Sequence, residues 1–139
     1  MLLYEEIDAS LRSNLKGKKI RVGEKGAGKI TSTAFYDGGF SIYLSYDNGT
    51  VGHISDSDFN LYFGHKMDRV ISLILYRHFF GKRIRNLQNN SVGVITRTTY
   101  LSGIIFEVHF GHECEILSYE NLQMYEAMEL FLSSNSMFS

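Results

Sequence analysis

A glycine-rich segment near the N-terminus is the part of the sequence that comes closest to a catalytic motif. It reads Gly23-Glu24-Lys25-Gly26-Ala27-Gly28-Lys29-Ile30-Thr31. A phosphate-binding P-loop needs Ser or Thr directly after Gly-Lys to reach the metal ion, and it must open a helix whose amides meet the phosphates. Ile30 occupies the Ser/Thr position here, and the residues after it have a strand pattern. The segment therefore predicts a glycine turn and not a nucleotide site.

Residue types that bind zinc lie close together at His109, His112 and Cys114, with Glu113 beside them. Three candidate ligands on one loop do not complete a tetrahedral site, and Cys114 is the only cysteine of the chain. We therefore expect a polar hairpin tip, no metal site and no cofactor. Because spacing groups no nucleophile with an acid and a base, we also predict that the protein is not an enzyme.

Basic residues occupy two matching places, although the formal net charge is −1. Lys19 and Arg21 flank one isoleucine, and Arg83 and Arg85 flank another. Alternate residues of a strand face opposite sides, so each cationic pair points away from its isoleucine. The pairs either solubilise an edge or bind phosphates or an acidic partner. Residues 107–129 contain Glu but no Lys or Arg, a polarity that suits docking on a charged partner or head-to-tail self-association.

The aromatic residues can be sorted by comparing the two halves of the chain. Three pairs recur and are predicted to be core: Phe35 with Tyr100, Tyr46 with Phe110, and Tyr62 with Tyr125. Tyr36, Phe40 and Tyr43 have no aromatic counterpart, so we expect them on an exposed recognition surface around the first long hairpin. The alternative is that they pack against a central helix.

The elements that must position these residues follow from an internal duplication. Residues 17–21 match residues 81–85 at an offset of 64, and residues 28–33 match 93–98 at an offset of 65. Before each match, apolar residues recur every four positions, which predicts a helix in each half. These residues are Leu3, Ile7, Leu11 and Leu15 in the first half and Met67, Ile71, Leu75 and Phe79 in the second.

The second predicted helix, residues 66–80, is apolar nearly all round and is expected to be buried between the halves. Its additional apolar residues are Val70, Leu73, Ile74 and Tyr76. Strands are predicted at 18–22, 28–35, 40–46, 51–54 and 60–63, and again at 82–86, 93–100, 104–110 and 115–117. A third helix is predicted over residues 126–132.

The strand and glycine order resembles an SH3-like or Tudor-like small barrel. It runs Lys-Ile-Arg-Val, Gly-Ala-Gly-Lys-Ile, a long hairpin into Ile-Tyr-Leu-Ser-Tyr-Asp-Asn-Gly, and Ile-Ser before Phe59. The resemblance implies a small barrel in each half. Together with the duplication and the predicted helices, it leads us to expect a mostly β, α+β fold of two tandem helix-plus-barrel units that share a central helix, with a short C-terminal helix. The units are residues 1–64 and 65–139. Such barrels bind proteins, peptides, DNA and RNA.

Composition limits the function classes. A chain of 139 residues with 44% hydrophobic and 21% charged residues is neither disordered nor a nucleic-acid-coating basic protein. Its longest apolar run, residues 70–76, is far short of the roughly 20 residues that span a membrane, and the N-terminus lacks the basic start of a secretion signal. We expect a soluble, cytoplasmic protein without a membrane partner.

These observations predict a non-enzymatic protein-binding module that blocks or recruits a larger partner. Small size without catalytic chemistry suggests an inhibitor from a phage or mobile element, directed at a host defence or nucleic-acid-processing protein. The alternative is a DNA- or RNA-binding adaptor that uses Tyr36, Phe40 and Tyr43 on bases and a set of cations on phosphates. That set is Lys18, Lys19, Arg21, Lys82, Arg83 and Arg85. A third interpretation is a self-associating structural subunit.

Overall fold

Helices and antiparallel sheets alternate in the computed structural model, which describes residues 2–36, 39–100 and 103–128, apart from the side chains of Tyr36 and Tyr119. The described residues form three α-helices: α1 (Leu3–Leu15), α2 (Phe59–Phe63) and α3 (Lys66–Phe79). They also form nine strands: β1 (Lys19–Arg21), β2 (Ala27–Tyr36), β3 (Gly39–Tyr46), β4 (Val51–Ser55), β5 (Arg83–Asn86), β6 (Val92–Tyr100), β7 (Ile104–Phe110), β8 (Glu113–Leu117) and β9 (Tyr125–Ala127). The fold class is α+β, as the sequence predicts.

The strands form two separate antiparallel sheets, each built around a long hairpin. The first sheet has the order β1-β2-β3-β4, and the second has the order β8-β7-β6-β5-β9. Within the described residues both sheets are open, so the expectation of closed barrels is wrong. The physical reason is that a helix packs on each sheet, α1 against β2 and α3 against β6, so apolar surface is buried without closing a barrel.

The two long helices have the four-residue apolar spacing that the sequence predicts. Their buried apolar residues recur every four positions, so one stripe of each helix faces the core. The stripes consist of Leu3, Ile7, Leu11 and Leu15 on α1 and of Met67, Ile71, Leu75 and Phe79 on α3. Because α1 also packs against α3, the buried apolar residues of both halves form one continuous cluster in the described part of the chain.

Helix α3 is not buried all round, and this expectation is wrong. Val70, Leu73 and Tyr76 are 45%, 48% and 45% exposed. They lie off the stripe that α1 and β6 cover, and no other described element packs over them closely enough to bury them. The sequence overestimates the burial of α3 because periodicity shows which residues are apolar and not how many neighbours the helix has. The result is an exposed apolar face on α3.

Small backbone details recur at matching positions of the two halves. The hairpins β2–β3 and β6–β7 each shift register once, at Thr31 and at Thr96. Each threonine hydroxyl donates a hydrogen bond to a carbonyl oxygen of the partner strand, at Tyr43 (3.2 Å) and at Glu107 (3.3 Å). The turns after α1 and α3 also match, each at a glycine with positive φ: Gly17 and Gly81.

Two predicted elements have a different structure. Residues 60–63, predicted as a strand, belong to α2, where Phe59 and Phe63 lie one turn apart with their rings 5.8 Å from each other. The predicted third helix is wrong at residues 126–127, which belong to β9, and residues 129–132 lie outside the described residues. Strand β9 forms because it pairs with the outer edge of β5 and satisfies its backbone groups. In the glycine segment, Gly23–Lys25 form one 3-10 turn, and Gly28-Lys29 lie in β2 and not at the start of an α-helix, as predicted.

Candidate functional site

Phe40, predicted to be an exposed recognition residue, is fully buried, so this expectation is wrong. Its ring meets that of Phe59 edge-on at a centroid distance of 6.0 Å. Its backbone N–H donates a hydrogen bond to the Asp56 carboxylate (3.1 Å). Along β3, Phe40 shares a face with the buried Ile42, and this alternation places its ring in the core. Phe40 is therefore unavailable to a partner.

Tyr43 lies on the opposite face of β3 and is 40% exposed. It stacks on His53 of β4 with the ring centroids 5.5 Å apart. The backbone of Tyr36 belongs to β2, but its side chain lies outside the described part of the structure. The predicted aromatic surface is thus reduced to Tyr43 among the side chains that the structure describes.

The four predicted cations differ in their surroundings. Lys19 and Arg21 are exposed on β1, and in the described part of the chain neither forms an ion pair. Arg83 is likewise exposed, whereas Arg85 forms an ion pair with Glu126 of β9. The halves match in residue type but not in charge. Lys19 and Arg21 keep their charges unpaired among the described residues, whereas Glu126 neutralises Arg85 in the second half.

The free cations of β1 border a groove of about 720 Å³ between β1 and α3. Its floor is apolar and its walls are basic. The apolar residues that line it are Leu15, Ile20, Ile30, Phe63, Met67, Val70, Leu73 and Ile74. The polar and basic ones are Asn14, Lys18, Lys19, Arg21, Lys66, Arg77 and His78. Among the described residues, no Asp or Glu lines the groove.

Sequence reasoning found only the β1 wall of this groove. The opposite wall is a second stripe of α3, composed of Lys66, Val70, Leu73 and Arg77. Steps of four, three and four residues put these side chains on one helix face, separate from the buried stripe. The sequence does carry a signal for this wall, namely a helix face with a basic residue at each end and apolar residues between them. The signal is missed when every apolar residue of α3 is assigned to the core.

The charge and the exposed apolar surface of the groove are features of a binding surface. Five Lys and Arg side chains line it within the described residues, and the apolar floor concentrates their field, so the groove has a positive potential that favours anionic groups. The exposed apolar atoms of Val70 and Leu73 provide surface that a partner can remove from water. Exposed acidic residues, including Glu113 and Glu115, lie on β8 in the other sheet.

A small ionic cluster beside the groove connects the two halves. Glu6 of α1 accepts hydrogen bonds from Lys82 (2.5 Å) and lies 3.0 Å from His78 Nε2. Burial alone would raise the pKa of Glu6, but the hydrogen bonds from Lys82 and His78 outweigh it and hold that pKa below its ordinary value. The cluster therefore keeps Glu6 charged and fixes α1 against the end of α3.

The remaining candidates do not form a site. His109 and Cys114 face each other across β7 and β8, and Cys114 is exposed. Within residues 2–36, 39–100 and 103–128, no group of three or more His, Cys, Asp or Glu residues could hold a metal ion. No helix in the same ranges is long and apolar enough to cross a membrane. No protein-family model and no curated protein matches the chain.

Proposed function

We propose that this chain is a non-enzymatic protein-binding module that blocks or recruits a larger partner through the groove between β1 and α3. The observation that carries the proposal is the lining of this groove: an apolar floor, five Lys or Arg side chains and, among the described residues, no acidic one. Apolar contact supplies most of the affinity of such a surface, while the charges select and steer the partner.

The partner's chemistry follows from complementarity. A partner that covers Val70 and Leu73 stabilises the complex by about 25 cal/mol per Å² of apolar surface removed from water. The cations around them favour a partner that places carboxylates beside its apolar anchors. Such a module acts by occupying a surface of its partner, as a phage- or mobile-element-encoded inhibitor of a host defence or nucleic-acid-processing protein would.

The proposal includes an origin by duplication of one helix-plus-sheet unit that resembles an SH3-like or Tudor-like module. The matching register shifts at Thr31 and Thr96 and the matching glycine turns support it. It also places the protein in the cytoplasm, where a single exposed thiol, Cys114, stays reduced.

The test is capture of a partner by tagged protein from a nuclease-treated lysate of the source cells. The wild-type chain is compared with Leu73→Asp, which puts a carboxylate on the groove wall, and with Arg83→Glu, a charge change of an exposed residue outside the groove. We expect the wild type and Arg83→Glu to retain the same protein and Leu73→Asp to lose at least nine-tenths of it. Equal retention by all three would contradict the proposal.

A nucleic-acid adaptor is the second candidate, and the unpaired cations on β1 favour it. Two of its predicted phosphate contacts are weakened, because Lys82 pairs with Glu6 and Arg85 pairs with Glu126. Phosphate binding releases counterions, so its affinity falls steeply with salt. If the purified chain binds single- or double-stranded DNA or RNA with such a slope, and Lys19→Glu with Arg21→Glu abolishes it, the adaptor function replaces the protein-binding one.

A further inference from the structure

Strand β9 covers an edge in the second half, and in the part of the chain that the structure describes no strand covers the matching edge in the first half. In the second sheet, β9 runs antiparallel to β5, with Glu126 opposite Arg85 and Ala127 opposite Ile84. In the first sheet, β1 pairs with β2 alone, as far as the described residues show. Within the described residues, the outer edge of β1 therefore presents backbone donors and acceptors without a neighbouring strand.

Matching residues show what the first half lacks. Ile20 and Arg21 of β1 correspond to Ile84 and Arg85 of β5 at an offset of 64. Ile84 is fully buried, whereas Ile20 is only partly buried. Arg85 has Glu126 as its ion-pair partner, and Arg21 has none in the described part of the chain. Strand β9 accounts for both differences, because it lies against Ile84 and provides Glu126 as the partner of Arg85.

The open edge faces a space with the same borders as the one that β9 fills. On its far side, β9 forms a backbone bridge from Glu126 to Leu2, at the start of α1. The residue that matches Leu2 is Lys66, which starts α3 and lines the groove opposite β1. Among its described residues the first half has no strand in this space, because the chain before Lys66 forms the short helix α2.

The backbone register shows which groups of β1 point outward. Lys18 O accepts a hydrogen bond from Ile30 N, and Val22 N donates one to Gly26 O, so the even-numbered residues of this segment bond to β2. In an antiparallel strand the alternate residues bond to the other side. The N–H and C=O groups of Lys19 and Arg21 therefore point into the open edge, as those of Arg85 point toward Glu126.

We propose that the groove takes an extended, acidic segment of a partner protein, which adds to β1 as an antiparallel strand and places a carboxylate against Arg21. This inference rests on the protein-binding function proposed above and names its mode. The segment has an acidic residue between two apolar ones, as in Tyr125-Glu126-Ala127 of β9. The cations of β1 repel a basic strand and attract an acidic one, which makes the edge selective.

The probe is a synthetic peptide of residues 122–128 of this chain, blocked at both ends, and a matched peptide with Glu126→Lys. Each is titrated into the ¹⁵N-labelled full chain while backbone amide signals are followed. We expect saturable shifts at residues 19–21 and along the groove, with the acidic peptide binding at least tenfold more tightly. With Arg21→Glu the preference is expected to reverse. No saturable shift at about 1 mM peptide, a concentration that detects dissociation constants near 1 mM, would overturn the proposal.

A pair of variants separates strand addition from simple charge attraction. Arg21→Ala and Arg21→Pro both remove the guanidinium, but only proline also removes the N–H that points into the open edge. Circular dichroism and thermal unfolding verify that both variants fold. We expect Arg21→Ala to weaken peptide binding about tenfold and Arg21→Pro to reduce it at least tenfold further. Equal binding by the two folded variants would overturn the proposal.

The same pair distinguishes failure of this inference from failure of the protein-binding function. If Arg21→Ala and Arg21→Pro capture the lysate partner equally while Leu73→Asp captures none, the groove binds a protein but not as an added strand. If Leu73→Asp also captures it fully, the protein-binding function fails. If light scattering shows a wild-type dimer that Arg21→Pro abolishes, the occupant is a second copy of this chain, and the partner-segment proposal is wrong.

Discussion

Phe40 and Tyr43 are separated by three positions on one strand, and an odd separation puts their side chains on opposite faces. This parity could have been read from the sequence, because Phe40 alternates in step with Ile42 and Leu44. The absence of an aromatic counterpart in the other half was the weaker signal. The ion pairs of Lys82 and Arg85 could not have been predicted, since their partners lie 76 and 41 positions away in the sequence.

The different environments of Phe40 and Tyr43 predict that their removal lowers the free energy of unfolding by different amounts. Phe40→Ala empties a fully buried site and is expected to lower the free energy of unfolding by about 3–5 kcal/mol. Tyr43→Ala, at a 40% exposed position, is expected to lower it by about 1 kcal/mol or less. Urea denaturation followed by circular dichroism measures both. Similar losses for the two variants would show that the face assignment is wrong.

The Glu6 cluster predicts a pH dependence of stability. Because the pKa of Glu6 is lowered below 4.5 on folding, its stabilisation is fully present above about pH 4.5 and is lost as the pH falls through the lowered value. Glu6→Gln should reduce the free energy of unfolding by about 1–3 kcal/mol at pH 7, and the difference from wild type should shrink toward pH 3.

Urea denaturation of wild type and Glu6→Gln at pH 7 and at pH 3 tests this prediction, with Glu24→Gln as the control. Glu24 is exposed, so its replacement should leave stability nearly unchanged at either pH. A gap between wild type and Glu6→Gln that stays constant from pH 7 to pH 3 would contradict the role assigned to the Glu6 carboxylate.

At the scale of elements, the two long helices and the long hairpins were predictable, whereas the short elements α2 and β9 and the packing of the helices were not. Apolar residues every four positions identified α1 and α3, and glycine-rich turns marked the ends of strands. Strand β9 was missed because a three-residue strand forms only where it can pair with the edge of another strand, here β5, and this pairing is not visible in the local sequence. The exposed stripe of α3 was missed because apolar content does not reveal which neighbours cover it.

The two stripes of α3 predict a clear contrast between neighbouring leucines. Leu75 is fully buried, so Leu75→Asp should prevent stable folding by burying an unpaired carboxylate. Leu73 is 48% exposed, and Leu73→Asp should change the melting temperature by only a few degrees. Thermal denaturation followed by circular dichroism compares them. A Leu73→Asp variant that also fails to fold would show that this face of α3 is structural.

At the scale of the whole molecule, the two sheets share one continuous core in the described part of the chain. Basic residues line the groove beside the first sheet, and exposed acidic residues lie on β8 of the second sheet. Tyr100 of β6 donates a hydrogen bond to Asp56 beside β4 (3.1 Å), which connects the sheets together with the α1–α3 contact. The α+β class followed from the sequence because local periodicity determines element type. The sequence did not reveal that the sheets stay open, because barrel closure depends on how each helix covers its sheet.

The central claim is that a protein partner occupies the groove between β1 and α3. Its most direct test is crosslinking in living source cells with a photoreactive amino acid at Leu73, in the groove, or at Ile116, an apolar residue on β8 that is 59% exposed. The account predicts a discrete protein adduct from position 73 and none from position 116. Adducts of equal yield from both positions, or an adduct from position 116 alone, would contradict it.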